Sequence, residues 1–238
     1  MEERMHRTAL PILGILVVAT GFTIYLFAAF IQSLPSYHSY GTPGAASADL
    51  LVTKGTPSER RVTQPEQNAS DPVYGPANAT VTIFEFSDFS CPYCHDMAGT
   101  LKDAVDRHPG VKLVWKDFPL TAVHANAMAA HTAARCAAVQ GKFWPYHDRL
   151  FATQDTLSDA TYHALATAVG LNVGTFSSCL TSPSTKAFIT KNIAEGNALE
   201  ISGTPELFVG DQRIPGAASS EELDQVIAFE LELAQRPK

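Results

Sequence analysis

The chain has 238 residues, a formal net charge of −7 at pH 7 and a hydrophobic share of 45%. That share is enough for a sizeable core, and an acidic balance without a basic patch excludes a nucleic-acid-binding role. Four cysteines permit two disulfides without proving them; such bonds persist mainly outside the cytosol.

Thr8 to Ile31 carries no charged residue and is rich in Leu, Ile, Val, Phe and Ala. As a helix the run is about 36 Å long, enough to cross a hydrocarbon core of about 30 Å. Pro11 falls near its start, where it does least harm. Arg4 and Arg7 precede the run, and no Lys or Arg follows before Lys54. This bias puts residues 1–7 in the cytoplasm and everything after the run outside it. The rival reading is a cleaved signal peptide, which needs a shorter apolar core and a nearby small-x-small site. Ala46-Ser47-Ala48 fits that pattern but lies far downstream, so an uncleaved anchor over 8–31 is expected. Residues 32–71, rich in Ser, Pro, Gly, Thr and Ala, read as a flexible tether. Its span is on the order of 35 Å. The sequons at Asn68 and Asn78 are short enough to arise by chance.

A domain is expected over 72–238. A turn-rich stretch, Asp71 to Ala79, leads into a strand over Thr80–Asp88. Then come Cys91-Pro92-Tyr93-Cys94, a helix from about Pro92 to Arg107, the breaker pair Pro109-Gly110, and a strand over Val111–Phe118. Strand, helix and strand at this spacing form a βαβ unit with a parallel pair. Two cysteines separated by two residues, between strand and helix, read as a redox dithiol. Cys91 at a helix N-terminus has unpaired N–H groups and the helix dipole beside it, which favour the thiolate that attacks in disulfide exchange. Pro92 suits the first turn, where its missing N–H costs nothing. Cys94 lies one turn on, on the same face.

Phe86-Ser87-Asp88-Phe89-Ser90-Cys91-Pro92-Tyr93-Cys94-His95 resembles the active-site segment of the thioredoxin superfamily, in particular the DsbA-like thiol–disulfide oxidoreductases. Gly203-Thr204-Pro205-Glu206-Leu207-Phe208-Val209-Gly210 is similar to the family's Gly-Thr-Pro segment, and Gly141 to Phe151 resembles part of its helical insertion. The similarity covers about residues 72–234. It implies an α/β thioredoxin fold with an all-helical insertion at about 122–202, here preceded by the transmembrane helix. It implies a cis bond at Pro205 facing the dithiol; cis bonds are nearly confined to X-Pro. The rival is a trans proline in a turn. Thr204's backbone is then free to pair with an incoming substrate strand. The resemblance also gives Glu85 the role of proton acceptor for the buried second cysteine, with Asp88 as the other candidate. Read from the residues alone, Glu85 is equally a surface strand residue paired with Lys116. His95, directly after the dithiol, either stabilises a thiolate at Cys91 or points to solvent.

Within the insertion, Ala125 to Gln140 contains eight alanines and reads as a helix. Phe143–Ala152, a segment capped by Ser158 and ending before Gly170, Thr175–Leu180 and Thr185–Leu199 read likewise. Cys136 and Cys179 are buried free thiols, zinc ligands or a structural disulfide. A four-cysteine zinc site needs two close pairs and only one exists, and an extracytoplasmic location favours the disulfide. His124, His131, His147 and His163 lack carboxylate or Cys neighbours at ligand spacing. The last elements are strands at Glu206–Val209 and Gln212–Ile214, joined by a turn at Gly210-Asp211, and a helix capped by Ser220 with Leu223, Val226, Ile227 and Leu231 on one face.

The expected protein is a membrane-tethered, extracytoplasmic thiol–disulfide oxidoreductase acting in the oxidising direction. Its partners are cysteine-containing client proteins and a membrane quinone-linked thiol oxidase that reoxidises it; no cofactor and no metal are expected. The Pro92-Tyr93 pair supplies no cation, unlike the Pro-His of strongly oxidising relatives, which keeps a reductase or isomerase as the alternative. A client-binding chaperone or scaffold that uses the dithiol structurally is the non-enzymatic rival, favoured if Cys91 is buried and inert.

Overall fold

The computed structural model describes residues 64–236. The apolar run 8–31 and the tether up to residue 63 lie outside these residues. Among the described residues no helix is long and apolar enough to cross a membrane. In chain order the elements are β1 Val73–Tyr74, β2 Val81–Ser87, α1 Pro92–Arg107, β3 Val111–Asp117, α2 Ala127–Val139, α3 Phe143–Ala152, a 3-10 turn Gln154–Thr156, α4 Asp159–Ala168, α5 Val173–Leu180, α6 Pro183–Ala198, β4 Glu206–Val209, β5 Gln212–Pro215 and α7 Ser220–Gln235.

The five strands form one mixed sheet in the order β1-β3-β2-β4-β5. β2 and β3 are parallel, joined through α1, and β4 runs antiparallel beside β2. β1, inside the stretch that reads as turns, pairs antiparallel with β3 through two residues. It is too short to leave a periodic signal. Successive side chains of β2 face opposite layers, and from Glu85 to Ser87 both faces are buried. Val81 and Ile83 pack with Leu101 and Val105 of α1 and with Leu223 and Ile227 of α7. Phe86 packs on the other face with Phe118, Leu199 and Phe208. Each fully buried aliphatic side chain there contributes about 1.5–3 kcal/mol.

The insertion α2–α6 runs between β3 and β4 and carries its own core. Trp115, Phe89, Tyr146, Leu150, Phe151 and Phe176 pack against the alanine face of α2. Small side chains let α2 approach its neighbours closely, and the aromatic residues fill the remaining space. The hairpin β4–β5 turns at Gly210, whose φ of 55° and close approach to the Glu230 carboxyl exclude a side chain. The cap of α7 is Ser219, not Ser220: the Ser219 hydroxyl accepts from the Glu222 N–H at 3.2 Å. Ser220 is the first helical residue, so the helix starts with the sequence offset by one. Ser158 does cap α4, through the Thr161 N–H.

A buried polar layer closes the end of the sheet. Lys116, fully buried, pairs with Asp71 at 2.7 Å and Glu195 at 2.8 Å. Asp117 accepts from Trp115 Nε1 at 2.9 Å, from His131 Nδ1 at 2.7 Å and from Arg135 Nε. The stretch before β1 is thereby held against β3 and α6. Burying these charges costs less than leaving one partner unpaired.

Cys136 of α2 and Cys179 of α5 form a disulfide, 43 residues apart in sequence. Closing a loop of that length is worth about 2–4 kcal/mol, mainly by constraining the unfolded chain. The double substitution C136A/C179A should lower unfolding free energy by about that amount in a urea titration. Mass analysis after alkylation without reductant should find no label on either residue in the parent protein.

Candidate active site

β2 ends at Ser87, and Asp88 turns the chain. Its carbonyl accepts the Cys91 N–H at 3.0 Å, and its carboxylate accepts the Ser90 N–H at 2.8 Å. This places Cys91 at the N-cap of α1 with Pro92 as the first helical residue. No side chain caps the helix, so its first free N–H groups face the Cys91 sulfur. Cys91 and Cys94 are both free thiols. Cys94 is fully buried, while Cys91 retains 4% exposure beside a Tyr93 that is 63% exposed. The Cys91 thiol donates to the Thr204 carbonyl at 3.3 Å, across the molecule from β4. The Thr204–Pro205 bond is cis.

The two sulfurs are driven apart electrostatically. A hydrogen bond from Cys94 pulls the Cys91 thiol down to about 5; burial opposes this, and Thr204 and the N–H groups of Cys94 and Tyr93 assist. The Thr204 hydroxyl is buried with no other hydrogen-bond partner, which leaves it free to serve the thiolate. Burial pushes Cys94 far up, followed by the Cys91 interaction and the Glu85 charge. Little surface is exposed at Cys91, yet its surroundings are donors rather than hydrocarbon. Apolar burial raises a thiol's pKa, and donor-lined burial lowers it. Cys91 is therefore buried, as the scaffold reading expects, while its thiol is held down by donors, as thiol exchange requires.

Glu85 lies on the odd face of β2, beneath α1. The β2–β3 register sets Glu85 opposite Trp115 and Phe86 opposite Lys116. The surface pair Glu85–Lys116 is thus overturned: Lys116 occupies the opposite face, above the Phe84 ring. Glu85 is buried, takes a hydrogen bond from Ser87 Oγ at 2.8 Å, and leaves its second oxygen unpartnered. Burial raises its carboxyl to about 7, against the Ser87 hydrogen bond and helped by Cys91. Ser87 also lowers Cys94, so one hydroxyl serves both the acid and the buried sulfur.

Asp88 is a different kind of acid. Burial pushes its carboxyl upward, but the nearby charge of His131, then the hydrogen bonds of His124 and the Ser90 N–H, hold it at about 2. His124 Nδ1 stands 2.8 Å from one carboxylate oxygen and His131 Nε2 3.7 Å from the other. A carboxylate that stays ionised is a fixed charge, not a proton acceptor. Asp88 touches the dithiol through its backbone, where its N–H donates to Cys94 Sγ at 3.5 Å. His95 is exposed and paired with Asp96 at 3.2 Å, beside Phe151. Three participants carry no local signal: Ser87, His124 and Gln154. Gln154 donates to the carbonyls of Phe89 and Cys91, each at 2.9 Å. His124 and His131 come from the loop before α2 and from α2, more than thirty residues beyond Asp88, so residue spacing does not reveal the pairing.

The sequence profile of the family described as Thioredoxin matches residues 67–228, and the chain belongs to that family. Among curated proteins it is 31% identical over 219 residues to the Na(+)/H(+) antiporter NhaA 3 of Salinispora tropica, a match that covers 90% of this chain and 32% of that protein. The chain spans about a third of the length of the curated relatives it matches. A solved thioredoxin-like oxidoreductase from Silicibacter pomeroyi superposes with a TM-score of 0.63 at 27% identity, covering 69% of this chain and 94% of that one. The thiol-disulfide exchange protein alpha-DsbA2 of Wolbachia pipientis shares the fold, with a TM-score of 0.63 at 20% identity over 70% of this chain and 88% of its own.

Glu85 is raised in the folded protein, so its burial costs stability where the unfolded chain ionises and the folded one does not. The cost opens between pH about 4.5 and about 7 and is constant above that. E85Q should therefore be more stable than the parent at pH 8 in chemical denaturation and equal to it below pH 4. It should also lose the inflection near pH 7 in the rate of any step that deprotonates Cys94.

Proposed function

We propose that the protein is an extracytoplasmic thiol–disulfide oxidoreductase that introduces disulfides into cysteine-containing client proteins. The observation that carries the reading is the split between the sulfurs: a thiol held down to about 5 at the N-cap of α1 and a buried one held far up behind it. That split assigns the roles. A client thiolate attacks Cys91 Sγ of the Cys91–Cys94 disulfide; the S–S bond breaks and Cys94 leaves, taking up a proton that Glu85 is placed to supply through Ser87. A second client thiolate then attacks the client sulfur of the mixed disulfide. It releases Cys91 as the thiolate, the better leaving group because its pKa is low. Two electrons have passed from client to enzyme, which leaves as the dithiol.

The oxidising direction is supported by the same feature. Stabilising the Cys91 thiolate stabilises the reduced form and makes the disulfide the stronger oxidant. Tyr93's side chain brings no cation to this effect; the groups that hold the Cys91 thiol down are the Cys94 thiol, Thr204 and backbone N–H groups. The apolar run 8–31 supports a membrane anchor with the domain outside the cytoplasm, where a quinone-linked thiol oxidase is the proposed reoxidant.

Purified C91S should lose all dithiol-oxidation and insulin-reduction activity, and C94A should accumulate client proteins as mixed disulfides on Cys91, visible on non-reducing gels. Full activity in C91S would defeat the assignment. In the reduced parent, thiolate absorbance at 240 nm should rise with a midpoint near pH 5 and be absent over that range in C91S.

A further inference from the structure

The helical insertion covers the dithiol, and it also grips the loop that carries it. Gln154, on the 3-10 turn after α3, donates through one nitrogen to the Phe89 and Cys91 carbonyls at 2.9 Å each. His124, in the loop before α2, stands with Nδ1 2.8 Å from Asp88 Oδ2, and the Leu120 N–H donates to the same oxygen at 2.8 Å. Because the Asp88 carboxyl is ionised, it is an acceptor only, and His124 Nδ1 must be the donor. Asp88 in turn holds both cysteines through its backbone, accepting from the Cys91 N–H at 3.0 Å and donating to Cys94 Sγ at 3.5 Å. Neither His124 nor Gln154 has a hydrogen bond to a sulfur among the described residues.

We propose that His124 and Gln154 are positioning residues, through which the insertion holds the loop 88–91 so that Cys91 Sγ faces the N–H groups of Tyr93 and Cys94 and thereby sets the redox equilibrium of the dithiol. This deepens the proposed thiol–disulfide exchange and rests on it. The loop keeps other anchors if either residue is lost. Asp88 retains the N–H groups of Ser90 and Leu120, with His131 behind it on Asp117, which Arg135 also holds. The Cys91 carbonyl retains the His95 N–H at 3.2 Å. What changes is alignment and charge. Without the His124 donor, the Asp88 carboxylate stands less compensated beside both sulfurs. Replacing Gln154 by Glu sets an acceptor against two carbonyls and a negative charge next to Cys91. Both changes disfavour the Cys91 thiolate, hence the reduced form, and make the disulfide a weaker oxidant.

The test uses the full chain, as H124A, H124N, Q154E and Q154A, equilibrated with glutathione redox buffers. Redox state is read by mass shift after alkylation, and the Cys91 thiolate by absorbance at 240 nm against pH. H124A and Q154E should each shift the equilibrium constant about tenfold toward the oxidised protein, about 30 mV, and move the thiolate midpoint upward. H124N retains an N–H donor at this position and should stay within about threefold of the parent, a rescue that simple packing would not give. If Q154E does not fold, Q154A, which removes the donors without adding charge, should shift in the same direction by about threefold. Folded H124A and Q154E with the parent's constant and midpoint would overturn the inference, whatever their melting temperatures. A parent whose Cys91–Cys94 pair does not exchange with glutathione would instead overturn the proposed function beneath it.

Discussion

Cys94 has no access to water, and its sulfur takes its backbone contact from the Asp88 N–H. Much of the site follows from that burial. A sulfur in so dry a position resists ionisation, so the titratable group nearest to it bears on its chemistry. The alternating side-chain directions of β2 place Glu85 there. Val81 and Ile83 commit the odd face to the α1 layer, and the next odd residues, Glu85 and Ser87, fall beneath the dithiol helix with no further freedom. An acid enclosed there is pushed into the neutral range by the same dryness that suppresses Cys94.

The opposite end of the pair is governed by donors instead of dryness. Cys91 sits at the N-cap because Asp88 turns the chain one loop earlier and Pro92 starts the helix. Uncapped N–H groups, a cis-proline segment from β4 and the Thr204 hydroxyl then converge on one sulfur. Elements distant in sequence, β2, α1 and β4, each contribute, and the β2–β4 pairing brings the last into register. The asymmetry of the dithiol is therefore a property of the sheet's strand order as much as of the CxxC segment.

The dithiol, the βαβ unit and the five helices of the insertion were legible because each rests on local pattern: β-branched runs, alanine content, breaker pairs and capping residues; the Thr204-Pro205 segment and the insertion's place between β3 and β4 were legible only through the family resemblance. Glu85 was legible only as two options, since an isolated glutamate on a strand does not reveal its face. The partner strand decided it by pairing Lys116 with Phe86. β1 escaped because two residues carry no period. The Ser219 cap was displaced by one because Ser219 and Ser220 are equally good cap residues. The roles of His124, His131 and Gln154 escaped for a different reason. Their partners are Asp88, Asp117 and main-chain carbonyls, which no spacing along the chain brings together. Residues 1–63 are read from sequence alone.

Tyr93 shows why the dipeptide between the cysteines is an incomplete guide to redox character. It lies mostly in water and adds no charge, so the CxxC segment alone suggests a modest oxidant. Yet Cys91 is held at about 5 by groups that belong to the fold: the partner sulfur, Thr204 and backbone amides. Amides and a buried hydroxyl are screened by salt far less than an exposed imidazolium at the Tyr93 position would be. A thiolate stabilised this way depends on loop geometry more than on ionic conditions. The groups that hold Cys91 down are thus the partner thiol, Thr204 and the main chain of Tyr93 and Cys94, and the Tyr93 side chain is not among them.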